Sequence, residues 1–143
     1  MTEKIVLDSG IAAKWFASEA DSAQALSIYD QYQQGFLEFI APTLIYAEFG
    51  NIFWKKQIHQ GFNAEDALTA VQEFKNVVLT LTPVIILYDD AFKIAVKNKR
   101  TFYDSLYLAL SLREGCRFVT ADERLYNAVN ADLPDVVRLA DWK

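Results

Sequence analysis

The chain has 143 residues, enough for one domain with a sizeable core and too few for two of ordinary size. Its 52% apolar content, with five Gly and three Pro, excludes a disordered or low-complexity chain. A net charge of −5 is the wrong sign for a protein that grips nucleic acid chiefly through Lys and Arg, but two bound divalent cations would nearly cancel it. No apolar run is long enough to cross a bilayer. The chain starts almost at once with the strand-like IVLD, without the apolar stretch of a secretory leader, and its single cysteine, Cys116, has no partner. The expectation is a cytoplasmic protein with Cys116 in its core.

In chain order, residues 5–7 read as a short buried strand ending at Asp8, with Ser9 and Gly10 as the turn and a short helix over 11–16. Residues 21–33 have near-helical apolar spacing, ended by Gly35. A second strand is expected at 39–41, then a long helix over 44–57 broken by Gly61. Asn63 caps the next helix, to about residue 75. The β-branched run 77–81 predicts a strand. Helices follow at 89–98, possible from Pro83 onward, and at 103–114, closed by Gly115. A strand at 117–120 leads to a helix opened by Asp122, and 136–139 predicts a last strand. Strands separated by helices imply an α/β layer structure with a mainly parallel central sheet of four to five strands. No repeat or linker interrupts residues 1–143, which read as a single domain.

Four acids stand out because each lies beside or inside an apolar run: Asp8 in IVLD, Glu48 in LIYAEFGNIF, Asp104 in TFYDSLYLAL and Asp122 in FVTAD. A buried carboxylate is costly unless paired or bound to metal. Asp8 and Asp122 stand at predicted strand ends, where parallel sheets form their ligand crevice. Capping explains Asp104 or Asp122 singly as well as catalysis does. Glu48 reads as a mid-helix acid, one turn from Leu44, Ile45 and Ile52, where capping is not available; one salt bridge could still satisfy it. Oxygen ligands of this kind suit a hard cation such as Mg²⁺ or Mn²⁺. The lone His59 reads as a surface residue, and there is no zinc spacing, Gly-rich phosphate loop or nucleophile elbow.

The segments IVLDSGIAAKWF, APTLIYAEFGNIFWK, TFYDSLYLALSL and FVTADERLYNAV, in that order and spacing, resemble the PIN-domain nucleases, and within them the VapC-type toxins of toxin–antitoxin pairs. The resemblance covers nearly the whole chain, and YDSLYLALS with FVTADERL is its most specific part. It implies a three-layer PIN-like fold with a parallel sheet flanked by helices. It also implies metal ligation by Asp8, Glu48, Asp104 and Asp122, with support from Ser9 and Thr120. One or two Mg²⁺ or Mn²⁺ ions, RNA cleavage, a homodimer and a small antitoxin partner follow from the same resemblance. Lys14 and Arg124, beside the site segments, are candidate phosphate contacts, against the plainer reading of solvated surface charges. Three rival readings compete with this one: a PIN-like RNA- or protein-binding module without catalysis, a phosphatase of the haloacid-dehalogenase kind using Asp8 as nucleophile, and a housekeeping PIN nuclease. The second lacks its D-x-D motif, since the segment here is Asp8-Ser9-Gly10. Trp15, Phe16, Phe53 and Trp54 exceed what a small core needs, so some of them are expected at an interface.

Overall fold

The computed structural model describes residues 1–143. Five strands form one sheet: β1 (Glu3–Leu7), β2 (Leu37–Pro42), β3 (Leu79–Thr82), β4 (Arg117–Thr120) and β5 (Val136–Arg138). Their order is β3-β2-β1-β4-β5, and every pairing is parallel. Parallel strands need crossovers, supplied by seven helices: α1 (Ser9–Ala13), α2 (Ser22–Gln33), α3 (Ile45–Gln60), α4 (Ala64–Phe74), α5 (Val84–Asn98), α6 (Phe102–Glu114) and α7 (Glu123–Val129).

The pleat divides the core in two. Ile5, Leu7, Phe39, Ala41 and Val119 face α1 to α4, while Val6, Ile40 and Phe118 face α5 to α7. Both faces of the central strands are covered, which is why the inner part of β1, Ile5-Val6-Leu7, is a continuous apolar run rather than an alternating one. Phe49 of α3 stacks on Phe74 of α4 with centroids 4.1 Å apart, and its burial stabilises that corner by about 1.5–3 kcal/mol. Gly61 (φ +68°) and Gly115 (φ +60°) close α3 and α6 in the left-handed conformation that side chains resist.

Several boundaries differ from the sequence reading. The first helix occupies 9–13, not 11–16, so Ser9 and Gly10 are helical; Asp8 caps the helix by accepting from the Gly10 amide at 3.3 Å. The third strand starts at Leu79, because Val77 is held in a turn by its amide to the Phe74 carbonyl. The apolar V-I-I-L after Pro83 is helix from Val84 on, packed along α6. Glu48 is not mid-helix: α3 begins at Ile45, placing Glu48 in its first turn. Cys116 is partly buried rather than a core residue, and burial pushes its thiol up to about 11, so it stays protonated near neutral pH. Of the four surplus aromatics Phe53 is fully buried, Trp15 and Phe16 are partly buried, and Trp54 is 54% exposed.

Candidate active site

The order β3-β2-β1-β4-β5 reverses direction at β1: the chain builds outward through β2 and β3, then returns to the other side with β4. The crevice beyond the carboxyl ends of β1 and β4 is therefore the expected ligand site. A cleft of about 460 Å³ lies there, and Asp8, Glu48, Asp104 and Asp122 all line it, with Ser9 and Thr120. Four residues far apart in sequence are thus brought together by four different elements.

Asp8 directly follows β1, and its Oδ2 accepts from Thr120 Oγ1 at 3.0 Å. The same Thr120 oxygen accepts the Asp122 amide at 3.0 Å, so one hydroxyl ties the two strand ends together. Glu48 reaches in from α3, where Oε1 accepts from Tyr107 Oη at 2.5 Å and, more weakly, from Ser9 Oγ at 3.4 Å. Asp104 lies in the first turn of α6. Its amide is capped by the Thr101 hydroxyl, so Thr101, not Asp104, is the helix cap. The capping reading holds for Asp122, whose Oδ1 accepts the Leu125 amide at 3.0 Å.

The electrostatics set this group apart. None of the structure's six ion pairs involves any of the four acids. Burial pushes the Asp8 carboxyl up to about 6, opposed by its hydrogen bonds to Gly10 and Thr120 and reinforced by the charge of Glu48. Glu48 is also raised, first by burial and then by Asp104, with the Tyr107 bond lowering it. Asp104 is raised by burial and by Asp122. Each carboxylate therefore feels the next, and Arg100, which forms no ion pair with any of them, opposes this only at Asp104.

No three of these side chains close into a ready-made cage for an ion. They form an open, all-oxygen wall. That suits a small hard cation, which keeps several of its waters and needs only a few carboxylates.

Lys14 lines the cleft, but its ammonium donates to the Ala20 carbonyl at 2.8 Å. Arg124 is exposed on α7 and is not among the cleft residues. His59 is exposed at the end of α3, edge-on to Trp54, in keeping with its sequence position. Sequence reasoning missed Tyr107 as the Glu48 partner and missed Asn51, Lys55 and Lys56 as cleft residues. Their signals are present in the sequence: Tyr107 sits one turn after Asp104 with a hydroxyl needing a partner, and Glu48, Ile52 and Lys56 recur at four-residue steps along one face.

The PIN domain family model matches residues 5–130. The ribonuclease VapC3 of Pyrobaculum aerophilum is 30% identical over 126 residues, spanning 85% of this chain and 92% of that protein. The crystal structure of PAE2754 from the same organism superposes with a TM-score of 0.66 at 18% identity, covering 98% of this chain and 93% of that one. A toxin–antitoxin complex from Klebsiella pneumoniae superposes with a TM-score of 0.61 at 15% identity, covering 94% and 97%. At such identities the two structures speak for the fold: a parallel sheet between helical layers.

Proposed function

Because the chain belongs to the PIN-domain family, we propose that it is a metal-dependent endoribonuclease, the toxin of a toxin–antitoxin pair, with residues 1–143 as one domain. The observation that carries this reading is the cleft wall of four carboxylates, none of which forms an ion pair. The Pyrobaculum relative carries the name ribonuclease, and the Klebsiella structure is a toxin–antitoxin complex, which favours an RNA substrate and a small antitoxin partner.

Asp8, Glu48, Asp104 and Asp122 are the residues that would hold one or two Mg²⁺ or Mn²⁺ ions. Such an ion supplies an activated water and charge neutralisation at the phosphate. The chain supplies the orientation. Thr120 and the Gly10 amide aim Asp8, while Tyr107 and Ser9 aim Glu48. Pinned ligands of this kind do not have to be ordered when substrate arrives. Lys14, on the cleft wall, and Arg124, exposed on α7 between the lining residues Asp122 and Leu125, keep the role of phosphate contacts that their sequence positions suggest.

A cytoplasmic homodimer is part of the proposal. Its support is the apolar surface left on α5, where Ile85, Phe92 and Val96 are 61–75% exposed. No helix is long and apolar enough to cross a membrane.

The test is RNA cleavage by wild type and Asp104→Asn with Mg²⁺ or Mn²⁺ and with a chelator. Cleavage should need the ion and should be lost in the variant. Equal rates for the two proteins would sink the assignment.

A further inference from the structure

The cleft also carries basic residues beyond the four acids. Lys14, Lys55 and Lys56 line it, beside Asn51. Lys56 is the chain's one buried cation: its side chain is 10% exposed, and that of Lys14 is 12% exposed. Both point at one carboxylate. Lys56 Nζ lies 2.8 Å from Glu19 Oε1, and Lys14 Nζ lies 3.9 Å from Glu19 Oε2. Glu19 belongs to the loop between α1 and α2 and is 36% exposed. That loop ends at Asp21, a non-glycine residue with φ +61°.

A purely structural ion pair would match one cation with one anion. Here two ammonium groups share a single carboxylate, and Glu19 is the most solvent-accessible of the three. The excess positive charge faces the cleft. Lys56 donates to Glu19, and Lys14, which donates to the Ala20 carbonyl, stands within ion-pair range of it; two nearly buried ammonium groups beside one anionic group is also what an oxyanion of a phosphate requires. Lys56 lies eight residues from Glu48 on the same face of α3, a displacement of about 12 Å along the helix axis. It cannot serve the same phosphate as the four acids, and must meet one further along the strand.

We propose that Lys14 and Lys56 form a subsite for a non-scissile RNA phosphate, which Glu19 occupies as an internal anion until RNA displaces it. This rests on the nuclease reading of the neighbouring acids. Lys55, exposed at the same rim, adds long-range attraction. Glu19 tunes the subsite: it holds the two lysines in place without RNA, and it competes with the strand for them.

The test is binding of a short fluorescein-labelled single-stranded RNA, followed by anisotropy over a series of salt concentrations. All proteins carry Asp104→Asn, so that the probe survives. Lys56→Met should weaken binding and make the slope of log K against log salt shallower by about 0.7, since one phosphate fewer is neutralised. Glu19→Gln, at an exposed position, should tighten binding several-fold at low salt, and that gain should vanish when Lys56→Met is added. Lys56→Arg should keep most of the affinity. Unchanged affinity and slope in Lys56→Met, or no tightening in folded Glu19→Gln, overturns the subsite. If the active wild type cleaves RNA while these variants behave as the parent, the nuclease reading stands and only the subsite falls. If the parent does not bind RNA and the wild type does not cleave it, both fall.

Discussion

Replacing Asp8 by Asn should make the metal-free protein more stable while abolishing its activity. Burial raises the Asp8 carboxyl from 3.8 to about 6. Below the ordinary value both the folded and unfolded chains hold the proton, and the difference vanishes. Between 3.8 and about 6 only the folded chain holds it, so stability falls as pH rises through this window. Above it neither state is protonated, and the fold carries the full cost of a buried charge, ~3 kcal/mol. An Asn amide escapes that cost. It also sacrifices one good hydrogen bond, because Thr120 donates to Asp8 Oδ2 while accepting the Asp122 amide, and an NH₂ group cannot accept that bond. With about 1 kcal/mol forfeited there, the net gain is about 2 kcal/mol. For a chain of this size that is roughly a 6 °C rise in Tm. The assay is thermal unfolding with a chelator at about pH 7.5, above the window, and at about pH 4, near its lower edge. The variant should melt higher at the upper pH, and its advantage should shrink at the lower. Added Mg²⁺ should raise the wild type selectively. A variant that is less stable than wild type at the upper pH without metal would refute the claim that the Asp8 charge is an unbalanced cost.

Two further outcomes follow from the geometry. Tyr107→Phe keeps the ring stacked on Phe118 but removes the hydroxyl that donates to Glu48; it should cost about 10–100-fold in activity or metal affinity. Because the bond lowers the Glu48 carboxyl, its loss should also move the acid limb of the pH–rate profile upward, and an unmoved limb would remove Tyr107 from the site. Phe92→Asp on the exposed face of α5 should leave folding intact and shift the protein to monomer in size-exclusion chromatography with light scattering; an unchanged oligomer would place the interface elsewhere.

The helices and strands were largely legible because their signals are local. Asn63 before α4, Gly61 after α3 and Gly115 after α6 act through the conformation of a few neighbouring residues. The boundary errors arose where two local signals compete. V-I-I-L has β-branched strand character, yet Pro83 starts a helix there that α6 packs against. Ser9 and Gly10 resemble a turn, yet the Asp8 carboxylate caps them into a helix.

The four acids and their shared crevice could be read from one dimension, because a carboxylate inside an apolar run is an electrostatic anomaly that spacing alone exposes. What each acid touches could not. Asp122 caps its helix and Asp104 does not, and only the position of Thr101 decides between them. The pairing of Tyr107 with Glu48 spans 59 residues, and the sharing of Glu19 by Lys14 and Lys56 joins a loop to a distant helix turn. Such pairings depend on where the sheet reverses direction and how the helices pack across it. Sequence determined that this chain carries unbalanced negative charge at strand ends. The tertiary structure decided that none of the four acids gains an ion pair, because it directed Lys14 and Lys56 to Glu19 instead.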